Sequence, residues 1–138
     1  MDYLKRIFSA FCFLGVMMSC QKIDGPAADI FKTWEVNNFV AVGETVTNDE
    51  GVSVRLTLSD DSGYDLDLGQ NLCSGEILNI TDKYLMLGDP GCTEICCDSP
   101  FAKRFAELIP AISMYKISGD ILRLYVDDWG FIECKLVE

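Results

Sequence analysis

The chain has 138 residues, 49% of them hydrophobic, which is enough for one domain with a proper core. Eleven Lys and Arg face 22 Asp and Glu, and a net charge of -11 argues against binding to nucleic acid or to the headgroups of an anionic lipid surface, because both need a basic surface. Histidine is absent, so no Ser-His or Cys-His pair is available to activate a nucleophile.

Residues 1–19 read as a secretory signal. Lys5 and Arg6 form a basic start, and residues 7–18 form an apolar run shorter than the ~20 residues a spanning helix needs. Val16-Met17-Met18-Ser19-Cys20 resembles the lipobox of bacterial lipoproteins, with Met17 where the family usually has Leu. The resemblance implies that Cys20 is diacylated, becomes the first residue after cleavage, and is acylated again. Two or more acyl chains, at ~0.8 kcal/mol per buried methylene, give stable anchoring. The expected location is therefore the bacterial cell envelope, on a membrane reached through the lipid. Residues 20–29 carry Gly25-Pro26 without periodicity and read as a tether. Gln21-Lys22-Ile23-Asp24 resembles the charged tags that follow the cysteine in some outer-membrane lipoproteins, which favours the outer over the inner membrane.

The folded domain is expected over residues 30–138. Residues 34–42 make an apolar opening strand containing Trp34 and Phe39. Val52, Val54, Leu56 and Leu58 alternate with polar residues, as do Tyr64, Leu66 and Leu68, which predicts a hairpin turned at Asp60-Asp61-Ser62-Gly63. Residues 76–80 and 84–87 predict a second hairpin around Thr81-Asp82-Lys83. One helix follows, capped by Asp98 or Ser99, with Pro100 in its first turn and Pro110 stopping it. Its Phe101, Phe105, Leu108 and Ile109 share a face, which is expected to pack on the sheet. Residues 114–118, 121–126 and 131–137 close the chain as a three-strand meander. About eight strands and one helix predict an α+β domain, an antiparallel twisted sheet or partial barrel with the helix packed on it.

Gly69-Gln70-Asn71, Ser74-Gly75, Thr93-Glu94-Ile95-Cys96-Cys97, a helix, and then residues 115–124 arrive in the order and spacing of the META domain, the HslJ-like family, which this chain resembles from about Trp34 onward. The resemblance implies a small sheet-plus-helix domain of secreted or envelope proteins, linked to heat shock, drug tolerance or motility and without established catalysis. Asn71, Ser74, Gly75 and Thr93 are the motif positions. Asn71 and Gly75 are expected to serve backbone turns, Asn by bonding its own backbone and Gly by accepting positive φ. The family's Gly-Cys-Asn is Gly69-Gln70-Asn71 here, and a cysteine stands instead at Cys73, so the family assigns Cys73 no partner.

Of seven cysteines, Cys12 leaves with the signal and Cys20 is lipidated. Cys73, Cys92, Cys96, Cys97 and Cys134 remain as disulfide candidates, an odd number that allows two bridges at most. A direct Cys96–Cys97 bridge needs an eight-membered ring, so the two neighbours are expected to reach different partners, with Cys73 and Cys134 the long-range choices. Cys134 alternates with Ile132 and Leu136 and is expected to be buried.

No metal or cofactor is expected. Cys-x3-Cys-Cys without His is a poor zinc set, and only Cys97 lies near a helix start. Asp60-Asp61 and Asp127-Asp128 are possible carboxylate or calcium pairs, but both sit beside Gly in hairpin turns, where Asp is favoured. Two functional classes follow: a non-catalytic binding or structural protein of the envelope, with an unknown protein or small-molecule partner, or a lipocalin-like half-barrel holding a small apolar ligand near Trp34. Filling of the sheet's concave face by Phe101 and Phe105 would weaken the second.

Overall fold

The computed structural model describes residues 28–44 and 46–137. The signal peptide, Cys20 and the tether up to residue 27 lie outside the described residues. A 3-10 turn, Ala28–Ile30, leads into β1 (Thr33–Ala41). Eight further strands follow: β2 (Arg55–Leu58), β3 (Gly63–Asp67), β4 (Leu72–Ile80), β5 (Leu85–Leu87), β6 (Gly91–Cys92), β7 (Ile112–Ser118), β8 (Ile121–Val126) and β9 (Gly130–Leu136). The helix α1 (Pro100–Leu108) stands between β6 and β7.

The main sheet runs β5-β4-β3-β2-β1-β9-β8-β7, with every pair antiparallel, and β6 adds to β4. Hairpin connections supply most of these pairs, and the first and last strands of the described residues meet as β1 and β9. The two ends of the sheet then meet at a seam, where Tyr84 bridges Met114 and the Tyr115 amide donates to the Lys83 carbonyl at 2.9 Å. The result is a nearly closed eight-strand barrel with one helix, the α+β partial barrel expected, with β6 as an unforeseen short addition.

Closure depends on three register shifts, between Val36 and Asn38, Ile77 and Asn79, and Ile112 and Met114. Each adds a residue to one strand, bends it, and resets the in-out alternation. In β1 the extra residue leaves Asn37 and Asn38 both exposed, so that Phe39 turns back toward the core. Its ring stacks on Phe101 at 4.7 Å.

The helix begins where its cap predicts: Ser99 Oγ accepts the Ala102 amide at 3.1 Å, and Pro100 occupies the first turn. Pro110 falls in the 3-10 turn Ile109–Ala111 that ends it. Phe101, Ala102, Phe105, Leu108 and Ile109 are buried together with Trp34, Leu56, Tyr64, Leu122 and Leu124. Burial of each large apolar side chain contributes on the order of 1.5–3 kcal/mol. The Trp34 indole still satisfies its N–H, donating to the Ile30 carbonyl at 3.0 Å. Side chains of sheet and helix thus pack together in the barrel interior, Phe101 and Phe105 among them.

Candidate functional site

Asn71, in the link from β3 to β4, is 6% exposed and saturated with hydrogen bonds. Its Nδ2 donates to the Ile95 carbonyl and to Asp98 Oδ2, both at 2.7 Å, and its Oδ1 accepts Thr93 Oγ1 and the Ile95 amide, both at 2.8 Å. Its own amide donates to Asp98 Oδ1 at 3.1 Å. The expectation that Asn71 bonds its own backbone is therefore corrected. It sews the loop of residues 93–98, which leads into α1, onto the start of β4. Thr93, a second motif position, belongs to the same network, and its hydroxyl also accepts the Leu72 amide at 3.2 Å.

Gly75 also departs from expectation. It has no positive φ and lies within β4 opposite Tyr64, whose ring occupies the space a Cβ would take. The residue is glycine to admit a buried aromatic ring, whose hydroxyl donates to the Gly88 carbonyl at 2.6 Å. Burial, and secondarily the Asp89 charge, push the Tyr64 phenol up to about 12. Ser74, the remaining motif residue, is exposed in β4 opposite Asp65 and Gly91.

The cysteine pairing differs from the reading in which Cys96 and Cys97 reach separate distant partners. Cys73 bonds Cys92, because β6 sets these two residues opposite each other in register, and Cys96 bonds Cys97. Cys97 adopts φ 90°, a turn placed directly after Ile95, where Asn71 grips the loop. Cys134 is the one free cysteine among the described residues and is buried as expected. Burial, with the neighbouring Glu133 charge, pushes its thiol up, so the thiolate that redox or metal chemistry needs is disfavoured. Among the described residues no three metal-binding side chains converge.

The acidic pairs serve turns. Asp61 accepts the Gly63 amide at 3.2 Å, Asp127 accepts the Ser113 hydroxyl at 2.7 Å, and Asp128 takes a left-handed turn conformation. A carboxylate that sequence reasoning passed over is better placed: Glu44 receives two hydrogen bonds from the Arg104 guanidinium, at 2.7 and 2.8 Å, and one from the Trp129 indole at 2.6 Å. The Arg104 bonds, then the Trp129 bond, hold its carboxyl below the ordinary value. This trio fastens α1 to the loop after β1 and to the β8–β9 turn, and every partner is occupied.

The seam is built differently. A cleft of about 450 Å³ lies where β7 meets the β4–β5 turn, with Met114, Ile117 and Tyr125 among its walls and Asp82, Lys83 and Lys116 also lining it. Beyond Tyr115 no strand pairs with the outer edge of β7 among the described residues, which leaves the gap. Tyr115 pins the turn, its hydroxyl donating to the Thr81 carbonyl at 2.6 Å. Lys83 lies 5.3 Å from the Tyr84 ring centroid, and neither Lys83 nor Lys116 forms an ion pair among the described residues. Arg123, opposite Lys116, is held by Glu133 at 3.0 Å. A register row, Val40-Phe131-Tyr125-Met114-Tyr84, carries apolar surface from β1 across β9, β8 and β7 to this point. The sequence signal for it was faint: Tyr125 and Met114 occupy outward positions, but nothing local announces that Tyr84 will meet β7.

No family model matches the chain, and no curated protein matches it. Solved structures share the fold. A protein from Burkholderia xenovorans, determined by NMR, aligns with TM-score 0.61 at 18% identity over 78% of this chain and 82% of its own. A DUF4847 family protein from Bacteroides vulgatus aligns with TM-score 0.57 at 11% identity over 77% of this chain and 92% of its own. At these identities the likeness concerns the barrel and its helix.

Proposed function

We propose that the chain is a lipoprotein of the bacterial cell envelope, anchored through acylated Cys20 in the outer membrane, whose META- or HslJ-like barrel acts by binding and not by catalysis. The observation that carries this reading is the basic start and apolar run that end at Ser19-Cys20. Two disulfides among the described residues support an oxidising compartment. The meeting of Asn71 and Thr93 in one network supports treating the motif as a structural signature of the META kind.

Metabolic labelling with an alkyne fatty acid in the native host tests the anchor. The wild-type chain takes the label and fractionates with membranes, whereas Cys20→Ser loses both. An unlabelled chain with its amino terminus intact contradicts the proposal.

The second reading, a barrel that binds a small apolar ligand, is favoured by the cleft at the seam and not by the interior, which Phe101 and Phe105 fill. It joins the first as the binding activity of the anchored barrel.

A further inference from the structure

The geometry points to a specific chemistry for the seam: we propose that the cleft binds one free, singly charged anionic amphiphile, a straight-chain carboxylate. Its head lies between Lys83 and Lys116 and its tail runs along Met114, Ile117 and Tyr125. The proposal deepens the reading of the barrel as a binding body and names the ligand of that body.

Size comes first. About 450 Å³ lies within the range of small-molecule sites, roughly 300–1,000 Å³, and suits a single acyl chain. Lining chemistry comes next, since such sites combine apolar walls with a few polar groups that fix orientation. Met114, Ile117 and the Tyr125 ring supply the walls, and the methylene stems of the lysines extend them while their ammonium heads stay wet.

Charge then selects the head group. The body carries far more acid than base, and half of its described cations are spent on carboxylates: Lys32 on Asp29, Arg55 on Glu35, Arg104 on Glu44 and Arg123 on Glu133. Lys83 and Lys116 are not, and they sit close together because the Lys83 carbonyl accepts the amide of Tyr115, the residue before Lys116. Two uncompensated ammonium groups beside an apolar cleft favour one carboxylate. Asp82 also lines the cleft, and with the acidic body it opposes a second negative charge on the ligand. The same repulsion disfavours an anionic bilayer surface as the occupant, because many charges would then face the body at once.

The test uses the full-length chain carrying Cys20→Ser, so that no attached acyl group competes, with 13C-labelled Met and Ile methyl groups. Dodecanoate is titrated below its micelle concentration. Saturable shifts are expected at Met114 and Ile117 and not at the buried Ile30. Affinity should fall about fivefold for Lys83→Met or Lys116→Met, and rise about fourfold per methylene from octanoate to dodecanoate. Lys103→Met, on the exposed face of α1, should leave the titration unchanged. Circular dichroism confirms that each variant is folded. Absence of saturable shifts, equal affinity in the Lys83→Met/Lys116→Met double variant, or equally tight binding of dodecyltrimethylammonium or of phosphatidylglycerol vesicles overturns the proposal. A failed titration leaves acylation of Cys20 standing, and a failed labelling experiment leaves the titration standing, so the two claims fall separately.

Discussion

Two regions of the barrel are fastened by opposite means, the loop beside β4 and the seam where the sheet's ends meet. Around β4 and β6 the backbone is cross-linked at Cys73–Cys92, and Asn71 fastens the following loop with five hydrogen bonds. At the seam no disulfide crosses among the described residues, and the closure includes the Tyr84–Met114 bridge, with the Tyr115 amide on the Lys83 carbonyl, and the Tyr115 hydroxyl on Thr81. In the first region the polar side chains of Asn71 and Thr93 are already taken up by hydrogen bonds within the fold. The second leaves two lysines without carboxylates beside open apolar surface. A binding surface has to come from the less committed region, because a side chain already saturated by its own fold has nothing left to offer a ligand.

Substitutions should separate the two regions, and the largest loss is expected at the sewn loop. Asn71→Ala removes four side-chain hydrogen bonds and takes a partner from Thr93 Oγ1, the Ile95 backbone and Asp98 Oδ2, which should cost about 4 kcal/mol in urea unfolding, at roughly 1 kcal/mol per net bond. Converting both Cys73 and Cys92 to Ala opens a loop with sequence separation 19 and should cost about 3 kcal/mol, lowering the urea midpoint while α1 remains visible by circular dichroism. Tyr115→Phe, at the seam, should cost only about 1 kcal/mol, because the ring stays packed while its hydroxyl bond to Thr81 is lost. A loss as large as that of Asn71→Ala would mean that the seam is not the weaker closure.

The smallest effect is electrostatic and lies away from both. Glu44 has its carboxyl held below the ordinary 4.5 by Arg104 and then by Trp129. A lowered folded value stabilises the protein above the unfolded value, and that contribution is lost as pH falls through the folded one. Thermal midpoints measured from about pH 6 down to about pH 3 should therefore drop less for Glu44→Gln than for the wild type. Parallel curves would show that the Glu44 trio contributes nothing to the pH dependence.

How far the sequence could be read follows the same division. Alternation in residues 52–68 and 121–136 is a local property, and the hairpins it predicts are present. Ser99, Pro100 and the Phe101-Phe105-Leu108 face likewise act within a turn or two of the chain. What escaped reading depends on distant partners. The bulge at Asn37 turns Phe39 inward only because Phe101 is there to receive it. Gly75 is glycine because of Tyr64, and Asn71 is asparagine because of residues 93–98. The cysteine partners depend on a distant strand in the same way: β6 is two residues long, too short to leave an alternating pattern, yet it decides that Cys73 meets Cys92. The cleft is the extreme case, since it exists only where strands far apart in the chain nearly meet.

Amide hydrogen exchange under native conditions tests most directly whether the barrel yields at the seam. Cys73 and Thr93 represent the sewn region, and Tyr115, donating to Lys83, represents the closure. The account predicts that the Tyr115 amide exchanges at least tenfold faster than those of Cys73 and Thr93, and that dodecanoate slows it selectively. Equal protection at the three amides, or slowing of all three together, would contradict it.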